Sequence, residues 1–266
     1  MDWRQYLTPA LYAWGAVSGL MLILWLISLR TKNAAIVDPG WTLGLLTCAI
    51  VYAITASGDP GRNAISLLMV GAWAVRLGGY LFFTRVWRQP EEGRYQQLRK
   101  DWKTNINLKF FFFFEFQALL DVLLSLPFLL ASMNPRVRIS SLEYAGLVLW
   151  AIAMAGEAVA DAQLNAFKRD PTNKGKTCRE GLWNYSRHPN YFFEWFCWLA
   201  YPVIALSVDD PWSFATLLAP AFMYWILVYV TGIPPLEEQM LRSRGERYRD
   251  YQSRTSKFFP LPPTSA

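Results

Sequence analysis

Ionisable side chains are costly inside a bilayer, where they mark either a site or a paired partner. This chain places Asp38, Arg76, Glu115, Asp121, Glu157 and Glu194 inside otherwise apolar stretches, with Asp161 at the edge of one. Each admits two readings: an interhelical ion pair or an end residue reaching for water, or a group that reacts or holds a ligand. Seven together favour chemistry. Several also repeat at helical spacing. Glu157, Asp161, Asn165 and Lys168 follow i, i+4, i+8 and i+11, which puts them on one stripe of a helix that continues beyond its apolar part and can line a cofactor cleft. Arg76 and Tyr80 are one turn apart, as are Asn190 and Glu194, and Asp38 precedes Pro39 near the start of an apolar stretch.

The densest polar run is EGLWNYSRHPNYFFEW, Glu180 to Trp195, immediately before an apolar block. His188 is the only histidine, which excludes a metal site or catalytic pair built on two imidazoles. Its simpler role is at a helix start, with Pro189 in the first turn. A nucleotide suits the composition better: Arg and Lys for phosphates, Trp and Tyr for stacking on a flat heterocycle, Asn for an amide or ribose. No metal spacing, P-loop or glycine-rich strand-to-helix turn occurs, so no metal is expected. Cys48, Cys178 and Cys197 are too few for a disulfide framework.

The elements that must hold these groups are membrane helices. Of 266 residues, 53% are hydrophobic, 16% aromatic and only 17% charged, against about 25% charged in an average soluble chain. The apolar blocks are continuous, not alternating, so helices are expected and not a barrel. Seven spans are predicted, near residues 9–29, 34–56, 64–84, 110–130, 142–160, 191–208 and 212–232, as one all-α polytopic domain over 1–266. Nothing in MDWRQYLTPALY resembles a cleavable signal, so the first block is read as a retained span. Twenty-one of the 26 Lys and Arg fall on one side of this scheme, and Arg4, Arg62, Arg136 and Arg138 on the other. Basic loops stay cytoplasmic, which sets the N-terminus outside and the C-terminus in the cytoplasm. The polar segments 85–109, 161–190 and 233–266 then share the cytoplasmic face, where function is expected. Topology and phosphate binding account for the net charge of +6 without nucleic acid.

Three runs together, GLWNYSRHPNYFFEW, EEQMLRSRGERYRDYQSRTSKFFP and RLGGYLFFTRVWRQPEEGRYQQLR, resemble the steroid 5α-reductase family, in particular its compact bacterial members, over roughly residues 34 to 260. The resemblance implies a seven-helix reductase that uses NADPH from the cytoplasmic side to reduce the C=C bond of a 3-oxo-Δ4 steroid or similar lipophilic enone. It matches Asp161, Asn165 and Lys168 to the segment that holds the adenosine and phosphate end of the cofactor, although family members often carry Arg at the last two. It matches Asn190 and Glu194 to cofactor contacts in the HPNY run, and Arg85 to a basic residue near the phosphates. Glu238, Tyr248, Tyr251 and Arg254 match a tail that folds over the cofactor, where animal members place a histidine near Glu238. Arg179, Trp183, Tyr185, Arg187, His188 and Tyr191 are expected to contact the cofactor with them. Asp38 matches a catalytic glutamate that holds the 3-oxo group. Trp73 stands where animal members have the catalytic tyrosine, so the phenol is expected from Tyr80 or from a different donor. Trp41, Trp73, Arg76 and Glu115 are expected to line the substrate site with Asp38.

A second family, the isoprenylcysteine carboxyl methyltransferases, carries a similar RHPxY run and C-terminal segment around S-adenosylmethionine. Seven spans, Asp38 and the long basic loops favour the reductase, since S-adenosylmethionine has no phosphate to neutralise. A small-molecule carrier or channel is a third reading. The expected setting is a multi-pass protein of a bacterial inner membrane, or of the endoplasmic reticulum in a eukaryote, acting as a monomer among membrane lipids.

Overall fold

A computed structural model describes residues 4–136, 139–207 and 210–264. Among the described residues there is no β-strand, only two isolated bridges, Ser186 with Ser256 and Ser207 with Asp210. The helices are α1 (Arg4–Thr31), α2 (Val37–Thr55), α3 (Pro60–Leu81), α4 (Gly93–Trp102), α5 (Ile106–Leu124), α6 (Leu126–Met133), α7 (Ser141–Arg169), α8 (Pro189–Ala205), α9 (Leu218–Trp225), α10 (Ile233–Arg244) and α11 (Glu246–Arg254). They fall into two compact units: residues 1–139 with 205–213, and residues 140–204 with 214–266.

Among the described residues, five helical stretches are long and apolar enough to cross a bilayer: Arg4–Thr31, Ala34–Thr55, Pro60–Val86, Ser141–Arg169 and Pro211–Arg244. The expected fourth span, 110–130, is two helices. α5 and α6 meet at a 41° bend and give a sixth crossing if they count as one. Ser125, the residue between them, turns its Oγ back onto the Val122 carbonyl, and Pro127 follows in the first turn of α6, a combination that stops one helix and starts another. The expected sixth span, 191–208, is α8. Its 17 residues reach about 26 Å at 1.5 Å per residue, short of a hydrocarbon core of roughly 30 Å. Val208, its expected last residue, and Arg138, counted on the outer side, lie outside the described residues.

In the first unit, α1 buries Ala13, Val17, Met21, Leu24 and Ser28, a single stripe at steps of three and four. It leaves Leu11, Leu22, Ile23 and Leu26 exposed, as a lipid-facing helix does. The stripe packs on α2 and α5, where Leu45, Tyr52, Phe110 and Phe114 are buried. One contact there is closer than any side chain allows. A Cβ on Gly44 of α2 would collide with Oδ2 of Asp121 on α5 and stand 3.2 Å from Val17, so the absence of a side chain lets a fully buried carboxyl lie against the α2 backbone.

In the second unit, α7 opens with a capping box. The Glu143 N–H donates to Ser140 Oγ at 3.2 Å, and the Ser140 N–H to Glu143 Oε2 at 2.8 Å. α7 then runs unbroken to Arg169, so the stripe from Glu157 to Lys168 is continuously helical. The polar segments expected as loops contain helices: α4 within 85–109, the end of α7 within 161–190, and α10 with α11 in the tail. α10 and α11 join at Gly245, whose φ of +55° belongs to glycine.

Candidate functional site

Each unit gathers one cluster around a carboxylate. In the first unit it is Asp38, buried in the first turn of α2. The Tyr95 hydroxyl of α4 donates to Asp38 Oδ1 at 2.5 Å, Arg94 donates to the same oxygen, and Arg85 Nη1 donates to Oδ2 at 2.9 Å. Glu92 Oε2 stands 3.5 Å from both Arg85 and Arg94. Arg85 and Arg94 remain 34% and 45% exposed. Tyr95 is almost fully buried, and burial, followed by the charge on Asp38, pushes its phenol well above the usual value. A second clamp fixes α4. Glu91 accepts the Ala34 N–H at 2.7 Å and both Arg99 Nε at 2.7 Å and Nη2 at 3.0 Å, and Arg99 lies 4.6 Å above the Phe110 ring.

The sequence pointed to Asp38 and Arg85 but not to Tyr95 or Arg94. The signal was present: Tyr95 and Arg99 stand one helical turn apart, with Glu91 just ahead of them at the same spacing. Tyr80 is 37% exposed and its carbonyl accepts from Thr84. Trp41 and Trp73 pack edge to face at 5.5 Å, with Trp73 buried. Arg76 lies on α3 and Glu115 on α5, both partly exposed.

In the second unit the carboxylate is Glu237 of α10. Its Oε1 accepts from Arg187 Nε at 2.7 Å and lies 3.1 Å from His188 Nε2, with the Tyr248 hydroxyl at 3.4 Å; Oε2 accepts from Gln252 at 2.9 Å. Arg187, only 9% exposed, also donates to the carbonyls of Gln252 at 3.0 Å and Thr255 at 2.7 Å, and its N–H donates to Ser256. The Tyr251 hydroxyl donates to the Trp183 carbonyl, Trp183 Nε1 donates to Ala160 at 2.9 Å, and the Leu261 N–H donates to Tyr185. The tail is thereby fastened to the run 183–188. Burial lowers the His188 pKa, and the Glu237 hydrogen bond only partly offsets this, so the ring is neutral at pH 7.

Glu238, named from the sequence, is 63% exposed and pairs with Arg242; the acid inside the cluster is its neighbour Glu237. Beside the clasp, Asn190 Nδ2 donates to Asp161 Oδ1 at 3.4 Å, and Glu194 accepts from Trp198 Nε1 at 3.0 Å. Tyr191 stacks on His188. Arg179 pairs with Asp250 and lies over Tyr251, and Arg254 shares Asp250. Tyr248 and Tyr251 are buried, Asn165 lies further along α7, and Lys168 is in its last turn. No group of three or more His, Cys, Asp or Glu among the described residues is placed to hold a metal.

The family model described as "Protein of unknown function (DUF1295)" matches residues 24–255. The chain belongs to the DUF1295 family. DUF1295 is a membrane family related to steroid 5α-reductases and isoprenylcysteine methyltransferases, and the matched residues include both the Asp38 and the Glu237 clusters. Among its relatives, the uncharacterized protein C594.04c of Schizosaccharomyces pombe is 27% identical over 287 aligned residues, which cover 92% of this chain and 79% of that protein. A protein of Ustilaginoidea virens named probable O-methyltransferase ustE is 31% identical over 84 residues, 29% of this chain and 30% of that protein. No solved structure matches this DUF1295 chain.

Proposed function

We propose that this DUF1295 protein is an NADPH-dependent membrane reductase that saturates the C=C bond of a lipophilic enone, of which a 3-oxo-Δ4 steroid is the type. In this reading α8 completes seven crossings in a locally thinned bilayer, with the N-terminus outside and the C-terminus cytoplasmic. The observation that carries the proposal is the Tyr95–Asp38 pair. Hydride addition to a conjugated double bond moves charge onto the carbonyl oxygen, which needs a hydrogen-bond donor in a dry site. Tyr95 has a proton held at Asp38 and a pKa raised by burial, so it stays a donor throughout the physiological range. Turned from Asp38 toward a bound carbonyl, its O–H serves the oxygen, while Arg94 still donates to the phenol oxygen and Asp38 keeps its two arginines.

The donor set of the second unit fits a polyanionic nucleotide. Lys168, Lys176 and Arg247 form no ion pair among the described residues, while Asp161 and Asn190 offer an acceptor and an amide for a ribose or carboxamide. Bound NADPH supplies the hydride, and water supplies the second hydrogen as a proton. A methyltransferase is the second reading, favoured by the partial match to probable O-methyltransferase ustE.

Purified protein in detergent, given NADPH and a panel of steroid-like and polyprenyl enones, is expected to oxidise NADPH only when enone is present. Asn190→Ala should weaken NADPH binding. Transfer of label from S-adenosylmethionine with no enone-dependent oxidation of NADPH would replace the reductase with the methyltransferase.

A further inference from the structure

Part of the charge on the second unit is spent in ion pairs. Glu238 pairs with Arg242, Glu246 with Arg249, and Asp250 with both Arg179 and Arg254. Two of the cations outside these pairs share one site. Lys176 and Arg247 line the same groove of about 460 Å³, together with Thr177, Arg179, Glu246 and Asp250. Lys176 acts on Asp170 only through space, and nothing within the described residues pairs with the Arg247 guanidinium. Arg244 reaches in from α10 and donates to Thr177 Oγ1 at 3.4 Å. The two acids on the wall carry their own arginines, so they do not cancel Lys176 and Arg247. The groove is held by a fixed frame: Arg179 donates to Asp250 at 2.8 Å and to the Arg247 carbonyl at 2.9 Å, tying the loop that carries Lys176 to α11.

A shallow, exposed recess with two unpaired cations from separate segments and a threonine hydroxyl on its wall suits a compact group of charge near −2 with several acceptor oxygens. We propose that this groove binds a phosphomonoester dianion, and that its occupant is the 2′-phosphate that distinguishes NADPH from NADH. The choice of occupant rests on the reductase reading above; the groove's chemistry does not. A phosphomonoester lipid headgroup, such as phosphatidic acid, offers the same chemistry from another source.

The test is equilibrium binding to the full-length protein, with turnover not involved. NADP⁺ and NAD⁺ differ only in the 2′-phosphate, and 2′-AMP against adenosine isolates that group. NADP⁺ is expected to bind about tenfold or more tighter than NAD⁺, as charge-assisted contacts to a phosphate imply. The double variant Lys176→Ala/Arg247→Ala should bring that ratio to within about twofold of unity while NAD⁺ affinity holds. Arg242→Ala, which removes an equal charge already spent on Glu238, should leave the ratio unchanged. A ratio that survives the double variant, or that Arg242→Ala lowers as much, overturns the groove. Nanodiscs with and without phosphatidic acid separate the sources: lipid-dependent protection of Lys176 from acylation, with no response to 2′-AMP, overturns the nucleotide occupant. If 2′-AMP discrimination holds but no enone is reduced, the reductase reading falls and the phosphomonoester site stands.

Discussion

The two carboxylates at the centres of the two units are bound in similar ways but to different ends. Glu237 receives an arginine, a histidine, a tyrosine and a glutamine, and its arginine is nearly sealed from water and bonded to two carbonyls besides. Arg187 Nε and Nη1 are both spent within the chain itself. Asp38 also receives arginines and a tyrosine, yet both arginines keep a third or more of their side chains in solvent. A closed network spends its polarity on holding backbone segments together. An open one keeps donors that a ligand can take up. In the proposed reading, the clasp around Glu237 is the scaffold and the cluster around Asp38 is where chemistry is done.

Substitutions sharpen that contrast. The largest effect is expected from Arg187→Met, which leaves Glu237 short of its counter-charge inside the clasp. Removing one partner of a buried pair costs about 3–5 kcal/mol, to be read as a fall in the thermal midpoint in detergent. A midpoint near that of the parent would put the clasp on a level with the open cluster. Next come Tyr95→Phe and Asp38→Asn. Each should lower enone reduction by about 10²–10³, the range for losing a donor to a developing oxyanion. Each should also leave NADPH binding intact and cost little stability, because the freed arginines reach water. If either variant unfolds and does not merely slow, Asp38 is a scaffold too.

Smaller in size is a dependence on pH. Because the folded-state pKa of His188 lies below the unfolded value of about 6.5, the folded protein binds fewer protons in this range. Its contribution is complete above pH 6.5 and is lost as the pH falls toward the folded pKa. Melting points measured from pH 7.5 to 5 should fall, and His188→Gln should flatten that slope; an unchanged slope would show that other groups set it. The smallest effect tests neither cluster. Ser140→Ala removes the capping box of α7 and should cost about 1 kcal/mol, seen as a slight drop in melting point with both clusters' functions unaltered.

The membrane helices were legible because a lipid-facing helix must be apolar over its whole length. The run from Glu157 to Lys168 was legible because its period is that of a helix. Less accessible was helical phase in short amphipathic pieces. In IPPLEEQM the two acids are one residue, or 100° of rotation, apart, and nothing local says which of Glu237 and Glu238 turns inward. Only the packing of α10 on the 183–188 run decides it. Tyr95 was missed because its segment was read as loop, which hid the spacing with Glu91 and Arg99. The bend at Ser125 is written as Ser-Leu-Pro, but the largely apolar stretch on both sides masks it.

The contact between Gly44 and Asp121 bears on how this sequence can drift over evolutionary time. Position 44 has no room for a methyl group while the acid stays in place. The two sites are tied: relatives that acquire alanine or anything larger at the first are expected to have given up aspartate at the second, so substitution must proceed through the loss of the carboxyl before the gain of a side chain.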